Sequence, residues 1–198
     1  MLTDSIGKDL GRLPGVKLVV KRGGYIEHFS GAIQSGDIVI KGMNAILIHA
    51  GTNNMSRDRD PHAVLYEMGR LLRVIRLANP NVHVIVSTIL PRVEDSWVME
   101  SLIKCYNNLL VNVCRETSVM LIRSYNAFRC SKAASGVKQW LYANDGLHLN
   151  ARGAQVLTQM FRVQFSDRNI QQRRLVLDAE GESRALRASN FGYKNAGY

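Results

Sequence analysis

The sequence has few of the features that mark disulfide-rich, metal-binding or membrane-spanning proteins. It contains only three cysteines in 198 residues and no CxxC pair, so neither a disulfide framework nor a zinc site is expected. Cys105 and Cys114 fall in an apolar helical pattern, which predicts core positions for both. No apolar run reaches about 18 residues, so no membrane-spanning helix is expected. No secretory signal is visible at the N-terminus. Together these absences favour the cytoplasm or the nucleus.

Acidic residues are scarce relative to basic ones. The chain has 26 Lys and Arg against 16 Asp and Glu, a formal charge of +10. Divided at Arg168, residues 1–168 carry 21 basic and 13 acidic groups, and residues 169–198 carry 5 and 3. The excess is therefore spread over the main body. Because 18 of the basic residues are Arg, contact with anions or nucleic acid is one interpretation, and a basic protein with no such role is the other.

Short apolar runs alternate with longer segments of helical spacing. Strands are predicted at 16–20, 45–48, 82–89 and 119–122, and helices at 25–35, 61–78, 98–113 and 151–165. In the third helix the predicted core stripe is Val98, Leu102, Cys105, Leu109 and Val113. This order is typical of an α/β domain with a parallel sheet, placed at residues 1–168. Residues 169–198 are expected to form a partly disordered tail, in which residues 175–177 are a candidate for a short strand.

Two motifs follow predicted strands directly. Gly23 follows the run 16–20, and Asn53 follows the run 45–48. In a parallel α/β sheet, functional groups gather beyond the carboxyl ends of the strands, so both motifs are expected at that edge. An amide side chain there can donate to a developing oxyanion, although Asn53 is equally compatible with an ordinary turn.

Asp145 and His148 are the first catalytic candidates. A carboxylate three residues before an imidazole can accept from one ring nitrogen and leave the other free as a base. Taken alone, the pair also fits a turn aspartate and a surface histidine. Ser5 is the third candidate, because a small hydroxyl at the start of a helix is helped by the helix dipole when it attacks. The alternative for Ser5 is an N-cap without chemistry.

The order of these blocks resembles a known superfamily. Asp4-Ser5 near the start, a glycine turn at Gly23, Gly-x-Asn at residues 51–53 and Asp-x-x-His at 145–148 are similar to the blocks of the SGNH (GDSL-type) hydrolases. The resemblance runs from Thr3 to about Phe165. Within that superfamily, residues 48–54 and 145–150 look most like the esterase-type domains of LINE-type retroelement proteins.

The resemblance implies a fold and a set of roles. The fold would be a three-layer, flavodoxin-like α/β fold, and the reaction would be hydrolysis of a small acyl ester through an acyl-enzyme. Ser5 matches the nucleophile, His148 the general base and Asp145 its orienting acid. Gly23 (or Gly24, with a shift of one residue) and Asn53 match donors of the oxyanion hole, with the N–H of Ser5 as the third. No metal or cofactor is implied.

Two departures from the family pattern stand at the N-terminus. Thr3 replaces the usual glycine before Asp4-Ser5, and a β-branched residue does not take a positive φ cheaply. The apolar strand that leads into the serine is reduced to Met1, Leu2 and Thr3. About four missing apolar side chains would remove roughly 6–12 kcal/mol. The sequence therefore predicts a truncated first central strand, low stability and an enzyme that this truncation could inactivate, unless a segment such as 175–177 fills the gap.

A second reading belongs to a different functional class. The same fold could serve as a non-catalytic, basic nucleic-acid-binding or assembly module of retroelement origin. The net charge and the off-stripe positions of Arg70, Arg73 and Arg76 motivate it. The absence of RRM, KH and zinc-knuckle signatures and the low aromatic content of 7% argue against it. The sequence does not indicate the oligomeric state.

Overall fold

In the computed structural model, residues 1–93, 97–133 and 136–165 are described, and within them five parallel strands form one sheet. The strand order is β2-β1-β3-β4-β5. This is the flavodoxin-like order, with the crossover direction changing between β1 and β3, and it confirms the expected fold class. The strands are β1 (Leu2–Thr3), β2 (Val19–Val20), β3 (Ala45–His49), β4 (His83–Ser87) and β5 (Met120–Ile122).

The helices cover a sheet whose central strands are buried on both faces. They are α1 (Ile26–Gln34), α2 (Thr52–Asp58), α3 (Pro61–Ala78), α4 (Trp97–Glu116), α5 (Ser124–Ala127) and α6 (Ala151–Gln164). Ile46 and Ile48 of β3 belong to the core cluster with α1, α3 and α4. Leu47 lies between them in the strand and points to the opposite face, yet it is also fully buried. Burial on both faces is what makes this strand a continuous apolar run.

The chain divides into two units, Met1–Met160 and Phe161–Tyr198. The first unit contains the whole sheet and every candidate site residue. The described part of the second is the end of α6 and Phe165. The predicted boundary at residue 168, the strand at 175–177 and the tail 169–198 lie outside the described residues, so those predictions stay untested.

The N-terminal segment forms the central strand of the sheet. Leu2 pairs with Val19 of β2 on one side and with Ile48 of β3 on the other. Thr3 pairs likewise with Val20 and His49. The strand is two residues long, in agreement with the short first central strand expected from the sequence, and it pairs with both neighbours.

Thr3 is accommodated by a glycine in the turn that follows. Thr3 is buried in β1, and it is not among the described non-glycine residues with a positive φ. A Cβ added at Gly7 would lie 2.2 Å from Thr3 Oγ1, so the missing side chain of Gly7 leaves room for the threonine. The expected backbone strain at Thr3 is therefore not found, since Thr3 lies in β1, and Gly7 leaves space for its side chain.

A cavity continues the line of β1 beyond Met1. Its volume is about 270 Å³, and Val19 of β2 and Ile46 of β3 line it from the two sides. β1 pairs with β3 at Ile48 and His49, and Ile46, which lines the cavity, precedes this paired part of β3. The cavity therefore occupies the place that a longer central strand would fill.

The buried face of α4 is shifted by one position along the chain from the predicted stripe. The buried positions are Met99, Ile103, Tyr106, Asn107, Leu110 and Cys114. Cys114 is in the core as expected, but Cys105 is exposed, so that prediction was wrong. Both stripes are apolar, and the face that carries the bulky Tyr106 is the one that packs inward. Among the described residues, no helix is both long and apolar enough to span a membrane.

Candidate active site

Three side chains from distant parts of the chain form one hydrogen-bonded row. Ser5 begins a 3-10 turn directly after β1, and Asp145 and His148 lie in the loop before α6. His148 Nε2 is 3.1 Å from Ser5 Oγ, and His148 Nδ1 is 2.7 Å from Asp145 Oδ2. The order Ser–His–Asp, with one ring nitrogen on each partner, is the geometry of an activated nucleophile.

Asp145 is held by its own loop. Its Oδ1 accepts the backbone N–H groups of Leu147 and His148 at 3.0 and 2.8 Å, while Oδ2 faces the imidazole. The hydrogen bond from His148 and these two backbone bonds lower the pKa of Asp145 to about 2. The carboxylate is therefore ionised at neutral pH and can fix the ring with Nδ1 protonated and Nε2 as the acceptor from Ser5.

The turn after β2 distinguishes the two glycines considered for the oxyanion hole. The N–H of Gly24 donates to the Lys21 carbonyl at 2.9 Å and is already used. Gly23 has a φ of +63°, and among the described residues its N–H has no hydrogen-bond partner. The position of Gly23 is therefore the one with a free donor, which favours it over Gly24.

Asn53 lies in the first turn of α2, at the end of β3. Its Nδ2 donates to the Gly24 carbonyl at 2.9 Å, which ties α2 to the turn after β2. The amide has a second N–H, so this bond leaves one donor available. Asn53 makes no hydrogen bond to Ser5 in the described part of the chain. The structure thus joins two of the expected oxyanion residues through Gly24 but not directly to the nucleophile.

Asn54 is a buried residue of this edge that sequence reasoning missed. Its Oδ1 accepts the N–H of Ile26, and its Nδ2 donates to Glu27 Oε2, at 2.9 and 2.8 Å. The side chain is fully buried and pins the start of α1 to α2. The only sequence signal was its place beside Asn53, since α2 itself was not predicted.

Asp4 is the second residue whose role the sequence did not reveal. It is 1% exposed, and its Oδ1 accepts the N–H of Ile6 at 3.0 Å, which caps the turn that presents Ser5. Burial raises the pKa of Asp4 to about 6, while the N–H of Ile6 acts in the opposite direction. A buried carboxylate beside a nucleophile is a property of the fold, not of the local sequence.

His49 forms a buried polar pair below the edge of the sheet. Its Nδ1 is 2.9 Å from Ser87 Oγ, which in turn is 2.7 Å from Ser124 Oγ. Burial lowers the pKa of His49 to about 4, so the ring is neutral at pH 7. This network links β3, β4 and α5, and it supports the end of β3 rather than forming part of the Ser5 row.

The described residues contain no group of three or more His, Cys, Asp or Glu side chains suited to a metal ion. Cys105, Cys114 and Cys130 are unpaired thiols. The arrangement at Ser5 places a hydroxyl within hydrogen-bond distance of an imidazole that a carboxylate orients.

Comparison with known proteins agrees with the geometry. The model of the GDSL-like lipase/acylhydrolase family matches residues 18–156. That match includes Gly23, Asn53, Asp145 and His148 but begins after Ser5, so the place of Ser5 rests on the structure. No curated protein has detectable sequence similarity to this chain.

Solved structures share the fold at low sequence identity. A GDSL-like lipase from Bacteroides thetaiotaomicron VPI-5482 is 16% identical, with a TM-score of 0.63 over 87% of this chain and 86% of that one. A carbohydrate esterase family 3 protein from Talaromyces cellulolyticus is 17% identical, with a TM-score of 0.64 over 87% and 97%. The esterase domain of the ORF1 protein from the zebrafish ZfL2-1 retrotransposon is 22% identical over 81% and 93%, but its TM-score of 0.46 supports no argument.

Proposed function

The chain belongs to the GDSL-like lipase/acylhydrolase family, and on this premise we propose that it is a serine hydrolase that cleaves small acyl esters. The proposal rests above all on the distance of 3.1 Å between Ser5 Oγ and His148 Nε2. These two atoms come from residues 143 positions apart, so their contact is a product of the fold. A nucleophile and a base within hydrogen-bond reach are what the first chemical step requires.

In the first half-reaction, Ser5 Oγ attacks the ester carbonyl carbon and His148 Nε2 takes the hydroxyl proton. Asp145 remains ionised and stabilises the imidazolium that forms. The negative charge on the former carbonyl oxygen is taken up by the N–H groups of Ser5 and Gly23 and by the free amide N–H of Asn53. Collapse of the tetrahedral intermediate then breaks the ester bond, and the leaving alkoxide receives the proton from His148.

The second half-reaction repeats these steps with water. His148 Nε2 accepts a proton from a water molecule, whose oxygen attacks the acyl carbon bound to Ser5. The same three donors hold the oxyanion, and collapse releases the carboxylic acid and returns the proton to Ser5 Oγ. Ser5 and His148 carry out every bond change and proton transfer in both half-reactions, so the proposed reaction needs no cofactor.

Ester hydrolysis is the common part of what the similar structures are named for. One is named a GDSL-like lipase and another a carbohydrate esterase. For this chain we propose short activated acyl esters as the substrates on which turnover is measured, since these make the least demand on a binding pocket.

The experiment that tests the proposal compares the wild type with Ser5→Ala on p-nitrophenyl acetate and butyrate. Wild-type turnover is expected, and Ser5→Ala is expected to reduce it to the rate of buffer alone. Ser101→Ala is the matched control, because Ser101 is exposed on α4 and its hydroxyl donates to the Trp97 carbonyl within the same helix. Equal turnover in Ser5→Ala and wild type contradicts the assignment of the nucleophile.

Two of the three α3 arginines behind the basic-module hypothesis are engaged within the chain, whereas Arg73 is exposed and has no side-chain partner among the described residues. Arg70 is ion-paired with Glu67 at 3.2 Å, and Arg76 donates to the Thr117 carbonyl at 2.8 Å. A phosphate-binding face would show RNA affinity that falls steeply with salt. An RNA titration at two salt concentrations therefore remains the way to separate this alternative from the hydrolase.

A further inference from the structure

The loop that carries His148 is closed at its base by backbone contacts. Tyr142 and Leu149 form an antiparallel bridge, and the N–H of Ala143 donates to the His148 carbonyl at 2.8 Å. These contacts make residues 142–149 a small hairpin, which we call the His148 loop.

The two side chains of this loop that do the proposed chemistry are partly exposed. The side chain of Asp145 is 51% exposed, and that of His148 is 26% exposed. The His148 ring nevertheless has to meet two partners at once, Asp145 Oδ2 at 2.7 Å and Ser5 Oγ at 3.1 Å. A misplacement of about 1 Å can cost about 10²-fold in rate, so the reaction depends on how the backbone of the loop is held.

Asn150 fastens the base of the His148 loop to α6. Its Nδ2 donates to the carbonyls of Trp140 and Tyr142, both at 2.9 Å. Its Oδ1 accepts the N–H of Gly153 at 3.0 Å, so the same side chain caps the start of α6. A cap requires only the oxygen. The two bonds from the side-chain nitrogen are therefore additional to the cap.

The backbone of α6 also lies close to this base. A Cβ added at Gly153 would be 2.0 Å from the Leu141 carbonyl oxygen, so the helix and the chain before the loop are in direct contact there. The backbone N–H of Asn150 donates to the same carbonyl at 3.1 Å. Asn150 thus binds the carbonyls of three successive residues, Trp140, Leu141 and Tyr142.

Two further hydrogen bonds attach the His148 loop to the segment after β4. The hydroxyl of Tyr142 donates to the Pro91 carbonyl at 2.5 Å, and the N–H of Val93 donates to the Gly146 carbonyl at 2.9 Å. Neither bond joins the loop to α6, so neither duplicates the contacts of Asn150.

We propose that Asn150 is a positioning residue of the hydrolase, whose side-chain N–H groups hold the His148 loop so that the ring meets Asp145 and Ser5 together. In the described part of the chain Asn150 bonds to neither Ser5 nor the His148 ring, so it acts through the backbone of the loop. Without its two side-chain N–H bonds the hairpin is free to shift against α6, and the ring loses its fixed orientation. This inference rests on the proposed serine hydrolase function.

Two variants separate the cap from the bonds to the loop. Asn150→Asp keeps an oxygen for the Gly153 N–H and is an equally good cap, but its side chain has no N–H to donate. Asn150→Ser is an uncharged cap with one O–H in place of two N–H donors, so it controls for the charge that Asn150→Asp adds. Asp60→Ala is the matched control, because Asp60 caps α3 by accepting the N–H of His62 at 2.9 Å and makes no bond to the loop.

The test is the tautomer of the His148 ring at pH 8, where an imidazole is ordinarily neutral, read from the NMR shifts of its two ring nitrogens. The signals are assigned by their loss in His148→Gln. Wild type and Asp60→Ala are expected to hold the proton on Nδ1, where Asp145 accepts it. In Asn150→Asp and Asn150→Ser we expect a mixture of the Nδ1 and Nε2 tautomers, because the ring is no longer held against Asp145.

An Nδ1 tautomer that is retained in both Asn150 variants overturns the proposal, since the cap alone then suffices. A mixture that also appears in Asp60→Ala overturns it, because general destabilisation would be the cause. A mixture confined to Asn150→Asp shows an effect of charge and has the same consequence. A wild type without the Nδ1 preference counts against the proposal as well, since the ring would not be held.

Folding of the variants is measured first, by thermal unfolding. If Asn150→Ser does not fold, Asn150→Asp decides alone, because a carboxylate at a helix N-terminus is the more stabilising cap. Failure of both to fold assigns Asn150 to the stability of the chain and overturns a role in positioning. The ring nitrogens are observed without substrate, so the result stands even if no ester is hydrolysed and the proposed function fails.

Kinetics supply the second readout. With an active enzyme, both Asn150 variants are expected to lose about 10²-fold in kcat with KM nearly unchanged, because the ring acts in the transition state and does not bind the substrate. Asp60→Ala is expected to keep the wild-type kcat. A defect confined to KM, or an equal loss of kcat in Asp60→Ala, contradicts the positioning role.

Discussion

His148 Nε2 lies 3.1 Å from Ser5 Oγ, and this contact connects the first turn of the chain to the loop before its last described helix. It depends on two short elements. β1 brings Ser5 to the carboxyl edge at the centre of the sheet, and Asp145 holds the loop that presents His148. The site is therefore sensitive to the N-terminal segment as well as to the loop.

Asn53 provides a test of the oxyanion hole. Removing one donor typically lowers turnover about 10²–10³-fold, because the interaction is strongest in the transition state. Asn53→Ala is expected to reduce kcat by this amount with little change in KM, measured on p-nitrophenyl acetate. Thermal unfolding of the variant controls for loss of the bond to the Gly24 carbonyl. A defect confined to KM counts against the oxyanion role.

The pH dependence of turnover tests the base. Imidazoles ordinarily lose their proton near pH 6.5, and only the neutral ring can accept a proton from Ser5. Asp145, with a pKa lowered to about 2, stays ionised throughout the range and contributes no acid limb above pH 4. Activity measured from pH 4 to 9 should therefore fall on acidification. A flat profile down to pH 4 is incompatible with His148 as base.

The stability of the folded chain should depend on the ionisation of Asp4. The pKa of Asp4 is raised from 3.8 to about 6, so the folded state favours the protonated form. Its stabilising contribution is present below about pH 3.8 and is lost as pH rises through 6. Asp4→Asn is therefore expected to raise the free energy of unfolding by roughly 2–3 kcal/mol at pH 8 and to have little effect at pH 3.5.

Urea unfolding at the two pH values measures this difference. Asp9→Asn serves as the control, since Asp9 is exposed in the same segment. An effect of Asp4→Asn that is the same at pH 8 and pH 3.5 would show that burial of the charge is not its source.

The cavity beside Met1 predicts a gain in stability when it is filled. An apolar segment of about four residues placed ahead of Met1 would continue β1 between Val19 and Ile46, which line the cavity. Each apolar side chain so buried contributes about 1.5–3 kcal/mol, so a rise of several kcal/mol in unfolding free energy is expected. Ester turnover should rise as well, because β1 positions Ser5. A Gly-Ser segment of equal length is the control, and equal effects of the two segments contradict the prediction.

The long helices and the strands could be predicted from the sequence, but the short helices α2 and α5 could not. The stripe of Val64, Met68, Leu71 and Ile75 identified α3 because its spacing matches one helix face. β1 was expected only from the family resemblance, because a strand of two residues shows no periodicity of its own. The buried face of α4 was predicted one position out of place. The helix has two adjacent apolar stripes, and only the packing of the folded chain determines which one is buried.

The site was predictable to the extent that it depends on residue order. Ser5, Asp145 and His148 came from the order of short motifs, and the structure brings them into contact. The buried state of Asp4 and the inter-helix bonds of Asn54 depend on burial, which local spacing does not encode. Compartment and nucleic-acid contact have no structural test in the described residues and stay predictions from composition.

The most direct test of the central claim is covalent labelling by a fluorophosphonate, which traps a serine that a neighbouring base has activated. Intact-mass and peptide-level mass spectrometry should show a single adduct on Ser5. The adduct should be absent in Ser5→Ala and form at least about a hundredfold more slowly in His148→Ala, because the base contributes about 10²–10⁴-fold. No adduct on Ser5 in the folded wild-type protein, or equal labelling rates in wild type and His148→Ala, would contradict the assignment of Ser5 and His148 as nucleophile and base.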